Sequence, residues 1–284
     1  MELNLKNIRK QFKEQGVFYT SDAMAQTLKS YVDFEPTAVY DPTCGQGNLL
    51  SVFPDSVPKY GQEINAAELD KARERLRNFH GFAGDTLTND GFPDMRFDCI
   101  VANPPFSIKW TPNDADPRFT QAGVVPPPGK ADYAFLLHCL WHLSERGKAI
   151  CLQFPGVLYR GQREGKLRQW MVEQNLIERV VQIPPKSFVD TAIGTCVIIF
   201  NKSKSDTNIT FEDRETGAEA VATLEEVRGQ GFTLSTGSYI QMEDKRETVD
   251  IVALNAEIDA IVAREDVLRG QIRDIIAEIE GEGI

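Results

Sequence analysis

The chain has 284 residues, enough for one large α/β domain and an appendage. At 42% hydrophobic and 26% charged residues it reads as an ordinary folded protein, and no apolar run reaches membrane-spanning length. A net charge of −11 argues against a protein that grips nucleic acid unaided; from Gln241 onward twelve acidic residues meet five basic ones, so that stretch carries −7 and the rest only −4.

Met1-Glu2-Leu3-Asn4 has no signal-peptide character, and a cytoplasmic protein with no membrane partner is expected. The five cysteines (Cys44, Cys99, Cys139, Cys151, Cys196) are scattered and form no Cys-x-x-Cys pair, which points to reduced structural thiols rather than zinc. His138 and His142 lie four apart on a predicted helix. With no glutamate beside them and no third ligand, no metal is expected there.

Residues 1–15 are polar and amphipathic at best, a short N-terminal helix or arm. Thr20 or Ser21 then caps a helix through about Val32. A short strand at 38–40 runs into Asp41-Pro42-Thr43-Cys44-Gly45-Gln46-Gly47-Asn48, followed by a helix through about Phe53. Two glycines let the backbone turn sharply and approach a ligand. The full Gly-x-Gly-x-x-Gly spacing is absent, so a dinucleotide-binding reading is weak. Residues 59–64 form a second strand with Glu63 near its end, one strand–helix–strand crossover after Asp41. A carboxylate there can accept both hydroxyls of a ribose. A helix over 66–79 places Leu69, Ala72 and Leu76 on one face, and a third strand ends at Asp85. The run Phe97-Asp98-Cys99-Ile100-Val101-Ala102 is a buried strand, cut off by Asn103-Pro104-Pro105-Phe106, which can join neither a helix nor a sheet ladder. The Asn103 side-chain oxygen and the Pro104 carbonyl can each accept a hydrogen from one exocyclic amino group, and Phe106 can stack on the ring that carries it.

Asn103-Pro104-Pro105-Phe106 resembles the catalytic motif of adenine-N6 DNA methyltransferases, and Asp41-Pro-x-Cys-Gly-x-Gly47 resembles the first motif of those enzymes. The resemblance implies S-adenosyl-L-methionine as cofactor, with Tyr19, Thr20, Asp41, Thr43, Gly45, Gly47, Glu63, Ile64, Asp85 and Asn103 around it. Asp41 would face the positively charged methionine end, and Asp85 would accept from the cofactor's adenine amino group. Acidic ends on three successive strands, with Asn103 on the fourth, obey the rule that ligands bind beyond the carboxyl ends of parallel strands.

Residues 107–130, rich in proline and without periodicity, read as a mobile lid that orders on nucleic acid, or else as a passive insertion. A helix follows over 132–145, then a strand at 149–154 and a helical stretch opened by Pro155. Arg160, Arg163, Lys166 and Arg168 on that stretch either meet phosphates or form a solvated face. Strands are expected at 177–183 and 195–200, and residues 201–240 are polar and β-leaning. The runs Phe154-Pro-Gly-Val-Leu-Tyr159 and Ile183-Pro-Pro-Lys-Ser-Phe-Val-Asp-Thr191 resemble the modification subunit of type I restriction–modification systems in order and spacing. Phe188 is thereby a candidate for the second face of the target base. The similarity departs from full-length members in the short segment before the first glycine motif, which suggests an abbreviated member without the N-terminal helical domain.

Ile251, Leu254, Ile258, Ile261, Leu268, Ile272, Ile275 and Ile279 follow alternating three- and four-residue steps, with Glu265 in the remaining seam position. A lone helix cannot bury such a seam, so it packs either on its own domain or on a helix of another chain. In the family it resembles, that partner is the specificity subunit, reached here through residues 249–279, and a restriction subunit can join. The expected fold is α/β: a Rossmann-like methyltransferase sheet with helices on both faces and a C-terminal coiled-coil-like helix, divided as 1–15, 16–240 and 241–284. The expected function is adenine-N6 methylation of double-stranded DNA, on a base turned out of the stack. Two rivals stand beside it, a catalytically inactive assembly module and a protein-glutamine methyltransferase.

Overall fold

A computed structural model of the chain describes residues 20–185, 194–240 and 251–281; the arm at 1–15, Tyr19 and Phe188 lie outside them. The chain divides into two compact units, Met1–Gln241 and Met242–Ile284.

Ser21 is extended and its hydroxyl accepts from Met24 N (3.2 Å), capping helix α1 (Asp22–Lys29) with Met24, Ala25 and Leu28 buried. After strand β1 (Val39–Asp41) the chain turns through Gly45 and Gly47, at φ 50° and 78°, into one 3-10 turn at Leu50–Val52. The α-helix expected there does not form. Pro54 closes the segment too soon, and Phe53 before it is forced to an extended φ, ψ of −91°, 148°.

Strand β2 (Lys59–Glu63), helix α2 (Ala66–Arg75) and strand β3 (Phe79–Ala83) come next. Leu69, Ala72 and Leu76 are buried, as their spacing predicts. The helix is shorter than expected: Leu76 is extended, Asn78 takes a left-handed φ of 51°, and Phe79 already pairs with Lys59 in the sheet.

Strand β4 (Phe97–Ala102) reads as a continuous apolar run because both of its faces are covered. Cys99 and Val101 join the cluster of Met24, Leu28, Leu50 and Leu69 on one side; Ile100 and Ala102 join Leu136, Leu140 and Leu167 on the other. Beyond a short helix α3 (Pro117–Thr120) come α4 (Asp132–His142) and β5 (Leu143–Gln153). Helix α4 stops before the expected Glu145 because Leu143 turns extended and pairs with Phe97. Pro155 opens only a 3-10 turn, Pro155–Leu158; the α-helix, α5 (Gln162–Glu173), starts after Gly161.

Strands β6 (Ile177–Ile183) and β7 (Thr195–Asn201) form as expected, and β7 is buried throughout. The polar stretch after them forms a hairpin, β8 (Ile209–Asp213) and β9 (Ala218–Ala222), then a helix α6 (Leu224–Gly229). That helix carries a full capping box between Thr223 and Glu226, a Thr-x-x-Glu signal legible in the sequence.

The strands form one sheet in the order β3-β2-β1-β4-β5-β7-β6-β8-β9. Pairing is parallel from β3 through β5, and β7 runs antiparallel between β5 and β6. The order reverses between β1 and β4, where open α/β sheets leave a crevice beyond their carboxyl ends. All five cysteines are buried and free.

The second unit contains helix α7 (Ile251–Gly281), with no buried residue and its apolar seam exposed, from 48% at Leu254 to 68% at Ile279. No helix among the described residues is long and apolar enough to cross a membrane.

Candidate functional site

The crevice at the strand-order reversal holds a cavity of about 160 Å³. Of the residues expected around it, Thr20, Asp41, Thr43, Gly45, Glu63, Ile64, Asp85 and Asn103 line it, together with Pro105. The topology accounts for this convergence. Asp41 and Glu63 end β1 and β2, Asp85 follows β3 by two residues, and Asn103 follows β4 directly.

Each acid is held by nearby polar groups. Asp41 is 1% exposed, and its Oδ1 accepts from Thr43 N (2.9 Å). Burial, opposed by that backbone bond and reinforced by the Glu63 charge, raises its carboxyl to about 8. Glu63 Oε2 accepts from Gly45 N (2.9 Å) and Oε1 from Asn65 N (2.9 Å), which ties the end of β2 to the glycine turn. Asp85 caps its own turn, accepting from Leu87 N (3.0 Å) and the Thr88 hydroxyl (3.1 Å). The Asn103 amide donates through Nδ2 to the Thr20 hydroxyl (2.9 Å), while the Thr20 carbonyl accepts from Asn48 Nδ2 (2.7 Å). Thr20 thus bridges the glycine turn and the Asn-Pro-Pro-Phe turn.

Two expectations need correction. Gly47 does not line the cavity: a Cβ there would lie 2.5 Å from Leu76 Cδ1, so its missing side chain serves packing against α2. An added Cβ at Gly45 meets nothing within 4 Å among the described residues, and Gly45 opens toward the cavity it lines. Arg160 and Arg168 do not form a solvated or phosphate-facing pair. Arg160 donates to Asp132 (3.2 Å) and Glu164 (2.8 Å), and the buried Arg168 donates to the carbonyls of Phe232, Val157 and Arg160. Arg163 and Lys166 are exposed. The loop at 107–130 is packed against itself and the domain in this conformation. Trp110 N and Nε1 donate to the carbonyls of Pro128 and Pro127, and Arg118 and Phe119 are buried. Pro104 is buried, and Phe106 is half-buried against the cluster around Met24 and Leu28.

Several contributors were not anticipated. Phe135 on α4 and Ile108 line the cavity, and their apolar side chains carried no sign of a site. The two α4 histidines acquire in space the acid they lack in sequence, since Asp90 brings a carboxylate within 4.8 Å of both. His142 Nε2 lies 2.9 Å from Asp90 Oδ2, and His142 Nδ1 lies 3.0 Å from the Met95 carbonyl. An Arg118 nitrogen stands 3.0 Å from His138 Nδ1. An arginine cation at that nitrogen repels a metal ion, and the cluster works as a buried polar network. Burial and the neighbouring His142 push His138 well below its ordinary value, so it is neutral.

Comparison with known proteins agrees with this geometry. The chain is 30% identical to the type I restriction enzyme MpnII methylase subunit of Mycoplasma pneumoniae, over 94% of this chain and 61% of that one. It is 25% identical to the MjaIX methylase subunit of Methanocaldococcus jannaschii, over 92% and 59%. The crystal structure of a type I restriction–modification methyltransferase subunit from Streptococcus thermophilus superposes with a TM-score of 0.71 at 28% identity, covering 79% of this chain and 59% of that one. The chain therefore spans about three fifths of the length of these curated relatives. The family described as N-6 DNA methylase matches residues 2–268, a span that takes in all the strands described and the four strand ends around the cavity, and the chain belongs to that family.

Proposed function

We propose that this chain is a modification subunit that transfers a methyl group from S-adenosyl-L-methionine to the N6 of an adenine turned out of double-stranded DNA, with the sequence chosen by a specificity subunit. The observation that carries the reading is the gathering of Asp41, Glu63, Asp85 and Asn103 around one cavity at the strand-order reversal. The cavity suits the cofactor on two independent grounds. Among the described residues, Gly45 leaves open space where a side chain would intrude, and the Thr43 hydroxyl is a buried polar atom with no hydrogen-bond partner.

Asp41 would face the cationic methionine end, Glu63 the ribose hydroxyls, and Asp85 the adenine amino group, with Thr20, Thr43, Gly45 and Ile64 completing the wall. When bound, the cofactor supplies a methyl group on a positively charged sulfur. The target amino nitrogen is a weak nucleophile because its lone pair is delocalised into the ring. Asn103 Oδ1 and the Pro104 carbonyl, as acceptors for its two hydrogens, raise electron density on that nitrogen. Prolines on either side of the carbonyl keep the acceptor fixed before the substrate arrives. Phe106 stacks on one face of the base, worth roughly 1–3 kcal/mol, and Phe188 is proposed for the other. Helix α7 presents its isoleucine seam to the specificity subunit, and a restriction subunit is a further partner.

The test is to incubate DNA with this chain and labelled S-adenosyl-L-methionine, with and without the proteins encoded beside it, and to map methylated adenines. Label at adenine N6 that depends on Asn103 supports the reading. Label on protein glutamine, or cofactor binding with no transfer under any pairing, refutes it in favour of a rival.

A further inference from the structure

The loop that follows Asn-Pro-Pro-Phe reaches back, through Arg118, to the cavity wall that carries Asp85. Arg118 is 6% exposed. Its Nη1 donates to the Thr86 carbonyl (2.8 Å) and to His138 Nδ1 (3.0 Å), and lies 3.3 Å from Asp90 Oδ2. Its Nη2 donates to the Leu87 carbonyl (3.1 Å) and Asp116 Oδ2 (2.7 Å), and its Nε donates to both Asp116 oxygens (3.1 Å each). One planar fork thus grips the two carbonyls immediately after Asp85, a geometry that a lysine ammonium cannot reproduce.

The opposite side of the same turn is strapped to the first glycine motif, because the Thr86 hydroxyl donates to the Pro42 carbonyl. The network also extends to β1. Arginine only donates, so His138 Nδ1 accepts and the neutral ring carries its proton on Nε2. That N–H donates to the Tyr40 hydroxyl (2.9 Å), one residue before Asp41. Loop 107–131, the Asp85 turn and β1 are therefore joined by one buried set of hydrogen bonds.

We propose that Arg118 is a positioning residue for the cofactor: it holds the Asp85–Leu87 turn against the cavity and couples the arrangement of loop 107–131 to occupancy of that cavity. The proposal rests on the reading that the cavity takes S-adenosyl-L-methionine. Withdrawing the loop would strip Arg118 from two buried carbonyls and loosen the Asp85 wall. By linkage, a ligand that engages that wall holds the loop in place.

The experiment uses the full chain with S-adenosylhomocysteine as probe, measuring affinity by calorimetry and local order by hydrogen exchange. In the wild type the probe should slow exchange across 107–131. In Arg118→Lys its dissociation constant should rise by about tenfold or more, and the protection of 107–131 should disappear while exchange in α5 and β6 stays unchanged. A residue that served only the fold would raise exchange throughout and leave no ligand-dependent difference confined to this loop. Wild-type exchange in 107–131 that ignores the probe, or an Arg118→Lys chain that binds it as tightly as the wild type, overturns the proposal. The wild-type arm can overturn the proposal even where Arg118→Lys fails to fold. If the wild type binds no probe at all, the cofactor reading falls and takes this proposal with it; if it binds and Arg118→Lys binds equally, only the role of Arg118 falls.

Discussion

At the scale of single residues, the site is defined by what each side chain is left to do once its neighbours are satisfied. The Asn103 amide nitrogen donates to the Thr20 hydroxyl, and this bond fixes the orientation of the side chain. Asn103→Ala should lower methyl transfer by roughly a hundredfold or more, with cofactor affinity nearly intact, measured by single-turnover transfer and by calorimetry. Parallel loss of both would mean that the residue serves only the architecture. Asp41 makes a different prediction, in pH. Burial raises its carboxyl from the ordinary 3.8 to about 8, so at neutral pH the free protein holds a proton there. A raised value is a contribution to stability present at low pH and lost as pH climbs through about 8. A cationic ligand favours the carboxylate, so binding below that pH releases a proton. Cofactor affinity should therefore strengthen from pH 6 to 8 and then level off, and Asp41→Asn should abolish the slope; calorimetry in buffers of different ionisation enthalpy counts the proton.

At the scale of elements, the two glycines of one motif have parted company. Gly47 is buried at φ 78° against Leu76, whereas Gly45 at φ 50° opens toward the cavity. Gly47→Ala should lower stability by about 1–3 kcal/mol, read from chemical denaturation, because the left-handed backbone and the α2 contact both oppose a Cβ. Gly45→Ala should weaken cofactor binding more than its own smaller loss of stability explains. Helix and strand identities were legible where a short apolar run was cut off by turn residues, as at β4 and β7, or where a 3.6 period ran uninterrupted, as at α2. The ends were not. Phe79 and Leu143 are apolar in either state, and it is pairing with Lys59 and Phe97 that makes them strand residues.

At the scale of the whole molecule, charge and apolar surface are distributed unequally between the units. The acidic tail contains a helix whose seam residues are 48–68% exposed, such as Ile261 at 63%. The only polar seam position, Glu265, pairs with Arg269 (2.6 Å) on its own helix. Ile261→Asp should abolish assembly with a specificity subunit, seen by size-exclusion chromatography, while S-adenosylhomocysteine affinity stays unchanged. Assembly that survives this change would place the partner elsewhere.

Much of the chemistry was written in local sequence, because a motif that must turn sharply, offer an amide and stop a strand leaves few residue choices. Asp41, Glu63, Asp85 and Asn103 could be placed at one edge from strand spacing alone, since parallel strands with regular crossovers end on the same side. Local sequence carried no sign that Asp90, Arg118 and His138 meet. Their contacts join segments far apart in the chain, and isolated polar side chains have no periodicity to betray a buried partner. The separate duties of Gly45 and Gly47, and the capture of Arg160 and Arg168 by neighbouring carboxylates and carbonyls, likewise depended on which groups the folded chain brought within bonding distance.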